Sequence, residues 1–332
     1  MEWNIIGHQW AVELLQNHIK TDAIRHAYLF TGPKSTGRRT LALRFAQALN
    51  CPQGDQLSGP CLTCHTCRRI EKMEHPDLFP IQAEDDSLDI RVDQIRALIH
   101  NLSLSNYEAP YRIALLLDFD DANDAAANAL LKTLEEPPPN VVLILTAESA
   151  DHLLETIVSR CEEVQLRPIP IQIILEGLQN LYQLPSDRAR FLAHICAGRP
   201  GYAIQLHQDP DLEARRATWL DDHRQLLQAS RVGRFSYVKQ YRQDAESLRE
   251  MIQVWQSYWR DVMHTASNAH TPKSNIDRVE EIEIIAQHLE PDQARKVLSN
   301  LDKASHRFMR YANTQLTAEV LMLDLPEINL SH

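Results

Sequence analysis

The spacing of apolar positions changes along the chain. Trp10, Val12, Leu14, Leu15 and Ile19 recur at roughly helical intervals, and residues 26–31 (HAYLFT) then form a short apolar run of the kind a buried strand makes. A glycine-bearing segment, 32–40 (GPKSTGRRT), follows, and Leu41, Leu43, Phe45, Ala46 and Leu49 predict a helix leading to a cysteine-rich stretch. Residues 113–117 read as a second buried strand that meets an acidic stretch at 118–121. An alanine-rich helix from Asp124 to about Leu134 is closed by Glu135, Glu136 and the prolines 137–139. Residues 141–145 predict a third strand ending at Thr146, and 164–166 another after Ser159, Arg160 and Cys161. Buried strands alternating with helices imply a mostly parallel α/β sheet. Pro168 and Pro170 mark a boundary, beyond which the pattern is helical throughout. A small helical module is expected over 171–208, with a linker at 207–211. Amphipathic helices follow from Leu212 to about Leu323, with a loop at 267–275. The expected fold class is α/β followed by all-α.

Composition narrows this only slightly. The 332 residues suggest two or three domains, and 44% apolar content suffices for real cores. A formal charge of −11 argues against a broadly basic nucleic-acid binder, leaving local clusters such as Arg38, Arg39 and Arg44, or Lys303, Arg307 and Arg310. The opening MEWNIIGHQW has no basic segment followed by an apolar run, and no apolar stretch is long enough to span a membrane, so a cytoplasmic protein without a membrane partner is expected. Four of the six cysteines lie between residues 51 and 67, which suits a metal site in a reducing compartment better than a disulfide framework.

The chemistry lies in a few short segments. Gly32 and Gly37 have the spacing of a phosphate-binding loop, but Arg38 stands where lysine would reach the terminal phosphates and Arg39 where a hydroxyl would hold Mg²⁺. A planar guanidinium does not replace a compact ammonium, and Thr40 sits about 100° further round the helix. On the strand at 113–117, the position for a metal-holding acid falls on Leu117 and that of a base on Asp118; alternatively Asp118 takes the metal role, with Asp120 or Asp121 as base. Cys51, Cys61, Cys64 and Cys67 (C-x9-C-x2-C-x2-C) suit closed tetrahedral Zn²⁺ of a structural kind, with His65 as an alternative ligand and unligated or redox-active thiols as the alternative reading. Cys161 and Cys196 read as buried small residues.

Residues 124–138 (DAAANALLKTLEEPP), with Ser159, Arg160 and Cys161 downstream, resemble the clamp-loader branch of the AAA+ ATPases. With the altered glycine loop and the four-cysteine insert, the chain is similar to the delta prime family of bacterial DNA polymerase III, over essentially residues 1–325 and most strongly before 166. The resemblance implies a RecA-like AAA+ domain at 1–167 carrying a zinc module at 51–67, a small helical lid at 168–208, and a C-terminal helical collar at 209–332 that oligomerises. It implies Cys51, Cys61, Cys64 and Cys67 as ligands of structural zinc. It also implies Arg160 as an arginine finger acting in trans on a neighbouring motor subunit's ATP, a role worth roughly 10³ to 10⁵ in rate. Thr146 falls at the sensor-1 position; Gly201 falls where motor members carry a sensor-2 arginine, with Arg199 two residues early. Gly32, Gly37, Arg38, Arg39 and Thr146 would thus line a degenerate nucleotide site that does not hydrolyse, retention of ATP or ADP being left open. The implied partners are tau/gamma motor subunits and the delta subunit, with the sliding clamp and primer-template DNA reached through the complex. Two alternatives compete: an active AAA+ clamp-loader motor in which Arg38 and Asp118 replace the usual residues, and a zinc-dependent nucleic-acid adaptor using Arg68, Arg69 and Lys72.

Overall fold

Five short strands, β1 (Ala27–Thr31), β2 (Leu78–Ile81), β3 (Arg112–Leu116), β4 (Val141–Ala147) and β5 (Glu162–Gln165), form one sheet in the order β2-β3-β4-β1-β5. Every pairing is parallel. The computed structural model describes residues 3–54, 59–84, 89–105, 107–241, 244–309 and 314–328. It divides into two compact units, Met1–Pro185 with Gly198–Tyr202, and Ser186–Ala197 with Ala203–His332.

In the first unit the sheet is joined by α1 (Gln9–Lys20), α2 (Arg38–Asn50), α3 (His65–Glu71), α4 (Val92–Leu102), α5 (Asp124–Glu135), α6 (Glu155–Val158) and α7 (Ile171–Tyr182). Strands β1, β3 and β4 are buried at every position, as a parallel sheet covered on both faces requires. Alternation along each strand sends Tyr28, Phe30, Ile113, Leu115, Val142 and Ile144 into one core with Leu15 of α1 and Leu41 and Phe45 of α2. The intervening residues Leu29, Ala114, Leu116, Leu143 and Leu145 enter a second core with Ile95 of α4, Leu130 of α5 and Ile157 of α6.

Several expected boundaries move. The strand placed at 113–117 begins one residue earlier, β4 continues through Ala147, and the last strand is Glu162–Gln165 instead of 164–166. The linker expected at 207–211 is absent: α9 (Pro200–Gln208) runs through its first half and α10 (Pro210–Gln228) begins directly after Asp209. Pro210 opens α10, where a missing N–H costs nothing, and the Asp209 carboxylate accepts from Asp211 N (2.9 Å) and Leu212 N (3.3 Å). What reads as a break in the sequence is a helix start.

The second unit is helical, comprising α8 (Ser186–Ile195), most of α9, α10, α11 (Arg231–Val238), α12 (Ala245–Ala266), α13 (Val279–Gln287), α14 (Pro291–Met309) and α15 (Thr314–Asp324). Trp255, Tyr258 and Trp259 of α12 lie in its core with Leu220, Ile285, Leu301 and Leu321. His223 is enclosed among these rings; its Nε2 accepts from Trp259 Nε1 (2.9 Å), and burial lowers its pKa to about 3, so the imidazole is neutral. Among the described residues no helix is long and apolar enough to cross a membrane.

Candidate functional site

The glycine loop leaves the C-terminal end of β1, where parallel α/β sheets open their ligand crevice. Gly32 has φ 143°, and a Cβ there would fall 2.2 Å from Leu166 O, so no other residue fits. Its N–H reaches Ala147 O (3.2 Å) and Glu148 O (3.1 Å). Gly37, at φ 110°, caps α2 in the left-handed region. Between them the loop carbonyls are bonded within the chain: His8 Nε2 donates to Thr36 O (3.0 Å) and Gly201 N to Ser35 O (2.8 Å). Burial lowers the His8 pKa, which keeps the ring neutral. A Cβ on Gly201 would lie 2.8 Å from Ser35 O, so the position expected for a sensor-2 arginine has no room for a side chain. Arg199 is instead buried, with its guanidinium 4.6 Å from the centroid of the Tyr202 ring.

Arg38 is buried, and its Nη2 donates to Asp118 Oδ1 at 2.8 Å. Asp118 follows β3 in a left-handed turn (φ 47°) and its main-chain N–H donates to Thr146 Oγ1 at 2.8 Å. The topology explains this meeting. Strand β4, which carries Thr146, lies between β1 and β3, so the start of α2 and the end of β3 converge over its C-terminal end. Leu117, at the position of a metal-holding acid, is buried in the core beside α2. Glu148 stands nearby; burial chiefly raises its pKa, opposed by Lys34 and Arg38 and reinforced by Asp120 and Asp118. The groups that would contact phosphate and metal are therefore bonded to one another. Arg39 and Thr40 are exposed on the outer face of α2 and are not brought to this place.

Arg160 occupies its own setting. Its Nη1 donates to Thr156 O (2.8 Å) and Ser159 Oγ (3.3 Å), and its Nη2 to Glu135 Oε1 (2.7 Å), with a third of the side chain exposed. Sequence reasoning missed Glu135, although it lies within the run that carries the family resemblance. It also missed His8, whose role rests on a fold contact that no local spacing announces.

Cys51, Cys61, Cys64 and Cys67 converge so that their sulfurs all lie within 4.8 Å of one another, and they could hold a metal ion. The separations Cys51–Cys61 (3.5 Å), Cys51–Cys64 (3.9 Å) and Cys61–Cys67 (4.0 Å) bracket the roughly 3.8 Å edge of a tetrahedron with 2.3 Å zinc–sulfur bonds. Main-chain N–H groups of Cys61, Cys64 and Cys67 point at the sulfurs of Cys51, Cys61 and Cys64. At Cys61 burial raises the pKa, yet N–H donation from Thr63 and Cys64 wins and brings it down to about 6; burial pushes Cys67 up. His65 opens α3 and is outside the converging group. The module is docked on α2, where Gln47 Nε2 donates to Cys67 O (2.8 Å) and Glu71 Oε2 (2.9 Å). Cys161 is partly buried and Cys196 fully buried.

Residues 7–170 match the family model described as DNA polymerase III, delta subunit. Over 206 residues the chain is 35% identical to DNA polymerase III subunit delta' of Bacillus subtilis, covering 62% of this chain and 61% of that protein. Over 186 residues it is 38% identical to subunit delta' of Pseudomonas aeruginosa, covering 55% and 56%. A more distant likeness, 31% over 178 residues, is to subunit tau of Escherichia coli, covering 54% of this chain and 27% of that protein. The chain thus spans less than two thirds of the length of these relatives. Just under half of the chain, residues 7–170, is thus similar to the DNA polymerase III delta-subunit family model, and the two relatives named delta' match at 35% and 38% identity.

Proposed function

We propose that this chain is a delta prime subunit of a bacterial clamp loader, a component of the DNA polymerase III holoenzyme that helps load the sliding clamp onto primed DNA without hydrolysing ATP itself. The observation that carries this reading is the bonded set Arg38–Asp118–Thr146. In a working P-loop ATPase the corresponding lysine, acid and polar sensor are directed at phosphate, Mg²⁺ and water. Here the cation is paired with the acid, and Gly201 excludes a lid arginine. The degenerate site at Gly32, Gly37, Arg38 and Thr146 is on this reading a non-hydrolytic remnant.

Arg160 acts in trans as an arginine finger on ATP held by a neighbouring tau/gamma motor subunit; its partly exposed guanidinium, with donors to spare, supports that role. The four cysteines hold structural zinc, which supplies cross-linking of the 51–67 segment and no reaction chemistry. Residues 1–167 form the AAA+ domain, 168–208 the lid and 209–332 the collar that joins motor and delta subunits. Clamp and primer-template DNA are met through the complex, in the cytoplasm.

The test is ATP hydrolysis by the purified chain, alone and then with motor subunit, delta subunit, clamp and primed DNA. The expected result is no turnover alone, and DNA-stimulated turnover by the assembly that falls by orders of magnitude with Arg160→Ala while the complex still forms. Turnover by the chain alone, after contaminants are excluded, would overturn the reading in favour of an active motor like the tau relative. Full turnover with Arg160→Ala would remove the finger role.

A further inference from the structure

Resting on the arginine-finger reading above, we infer that Glu135 is the positioning residue for Arg160. Arg160 follows α6, and its main-chain N–H closes a turn on Ile157 O (3.1 Å), so its backbone is fixed. The side chain is another matter, since arginine has among the largest rotamer freedom of any residue. Two of the three acceptors on its guanidinium, Thr156 O and Ser159 Oγ, belong to the same turn as Arg160 and move with it. Glu135 alone comes from another element, so it alone ties the guanidinium to the body of the domain.

That element is rigid. Ala126, Leu130 and Leu134 of α5 are buried beneath the sheet, and prolines 137–139 end the helix one residue beyond its Glu136 cap. Helix propensity does not account for a carboxylate here, because the last turn of a helix carries partial negative charge and disfavours Glu. A cation at 2.7 Å offsets that disadvantage. The three bonds leave Nε–H and one Nη2–H of Arg160 without a partner among the described residues, which is a donor edge for an anion brought by a neighbouring molecule.

Removing Glu135 would have two opposed effects. Loss of a negative neighbour strengthens the field of Arg160, but both side chains are exposed (33% and 52%), so the screened gain is small. Misplacing a group that must meet a transferring phosphoryl by about 1 Å costs about a hundredfold. Position wins, and partially, because Thr156 and Ser159 still hold one side.

In the reconstituted loader with motor subunit, delta subunit, clamp and primed DNA, Glu135→Ala should lower kcat for ATP hydrolysis about three- to tenfold with KM for ATP unchanged. Glu135→Gln, whose carbonyl oxygen still accepts from Nη2, should restore most of the rate. In an Arg160→Ala background Glu135→Ala should add nothing. A wild-type or faster rate for Glu135→Ala overturns the inference, as does a Gln variant as slow as Ala, or a loss that persists without Arg160. Full activity of Arg160→Ala instead marks failure of the finger reading itself. Should the Ala variant fail to assemble, Glu135→Asp, with its carboxylate withdrawn by one methylene, makes the same comparison.

Discussion

Breaking the Arg38–Asp118 pair should destabilise the sheet-containing unit by an amount its geometry sets. The Arg38 side chain is 6% exposed and that of Asp118 is 48%, so the pair lies between a surface ion pair, worth about 0.2–1 kcal/mol, and a buried one, whose breakage costs about 3–5 kcal/mol. Arg38 already has Nη1 buried without a partner among the described residues, so removing Asp118 leaves an enclosed cation with no charged hydrogen-bond partner among them. Asp118→Ala is therefore expected to cost about 2 kcal/mol, a fall in Tm of about 4–8 °C for a unit of this size. Arg38→Met keeps the aliphatic bulk and removes both the charge and the orphan donor, so it should cost less, about 1 kcal/mol. The double variant should resemble Arg38→Met alone, giving a coupling of about 2 kcal/mol. The assay is differential scanning calorimetry of the four proteins at pH 7, following the transition of the sheet-containing unit. If Asp118→Ala melts with the wild type, or if the two substitutions add, the pair is not what closes the site.

Two further expectations concern the same unit. The four-cysteine module should bind one zinc ion per chain by elemental analysis. Cys64→Ser should abolish that binding and lower Tm; a metal-free wild type of unchanged stability would refute the reading. Asp77 is fully buried and accepts from the main-chain N–H of Tyr107 (2.7 Å), Glu108 (2.9 Å) and Ala109 (2.9 Å). Burial alone would raise its pKa, but those three donors outweigh it and the carboxyl sits below its ordinary value. Its stabilisation is thus present above the ordinary carboxylate range and lost as pH falls through the depressed folded value. Asp77→Ala should cost about 2–3 kcal/mol at pH 7 and flatten the acid limb of the stability profile below about pH 4; a limb of unchanged slope in urea titrations would contradict this.

How much of this was legible in the sequence depended on how local the cause was. The strands of β1 and β4 announce themselves because both faces are covered and the run is apolar throughout. Strand β2 is only four residues long, contains Pro80 and lies at the sheet edge, where a missing N–H is tolerated, so neither length nor pattern marks it. Helix α4 did carry a signal, with Ile95, Leu98 and Leu102 on one face, and went unread because the segment lacks a conventional N-cap residue. The cysteines were legible since three of the four lie within seven residues. The Arg38–Asp118 pair, 80 residues apart, was not: both substitutions were visible, but their meeting depends on β4 lying between β1 and β3. Contact of Gly201 with Ser35 is likewise a fact of the fold, with no trace in either local sequence.

Helix α2 is fastened at both ends, and this bears on how the fold stands free of any small molecule. Arg38 holds its first turn to Asp118. Toward its last turns Arg44 Nε donates to Trp3 O (3.0 Å), and Gln47 reaches Cys67 and Glu71 of the cysteine module. A protein whose loop depends on bound nucleotide gains stability in proportion to the logarithm of ligand concentration, about 4 kcal/mol at a thousandfold excess over Kd, and forfeits it as the ligand is depleted. Bonds between residues of one chain have no such concentration dependence. The helix that follows the glycine loop is held here by side chains whose effective concentration never changes, so its position does not vary with the supply of any ligand.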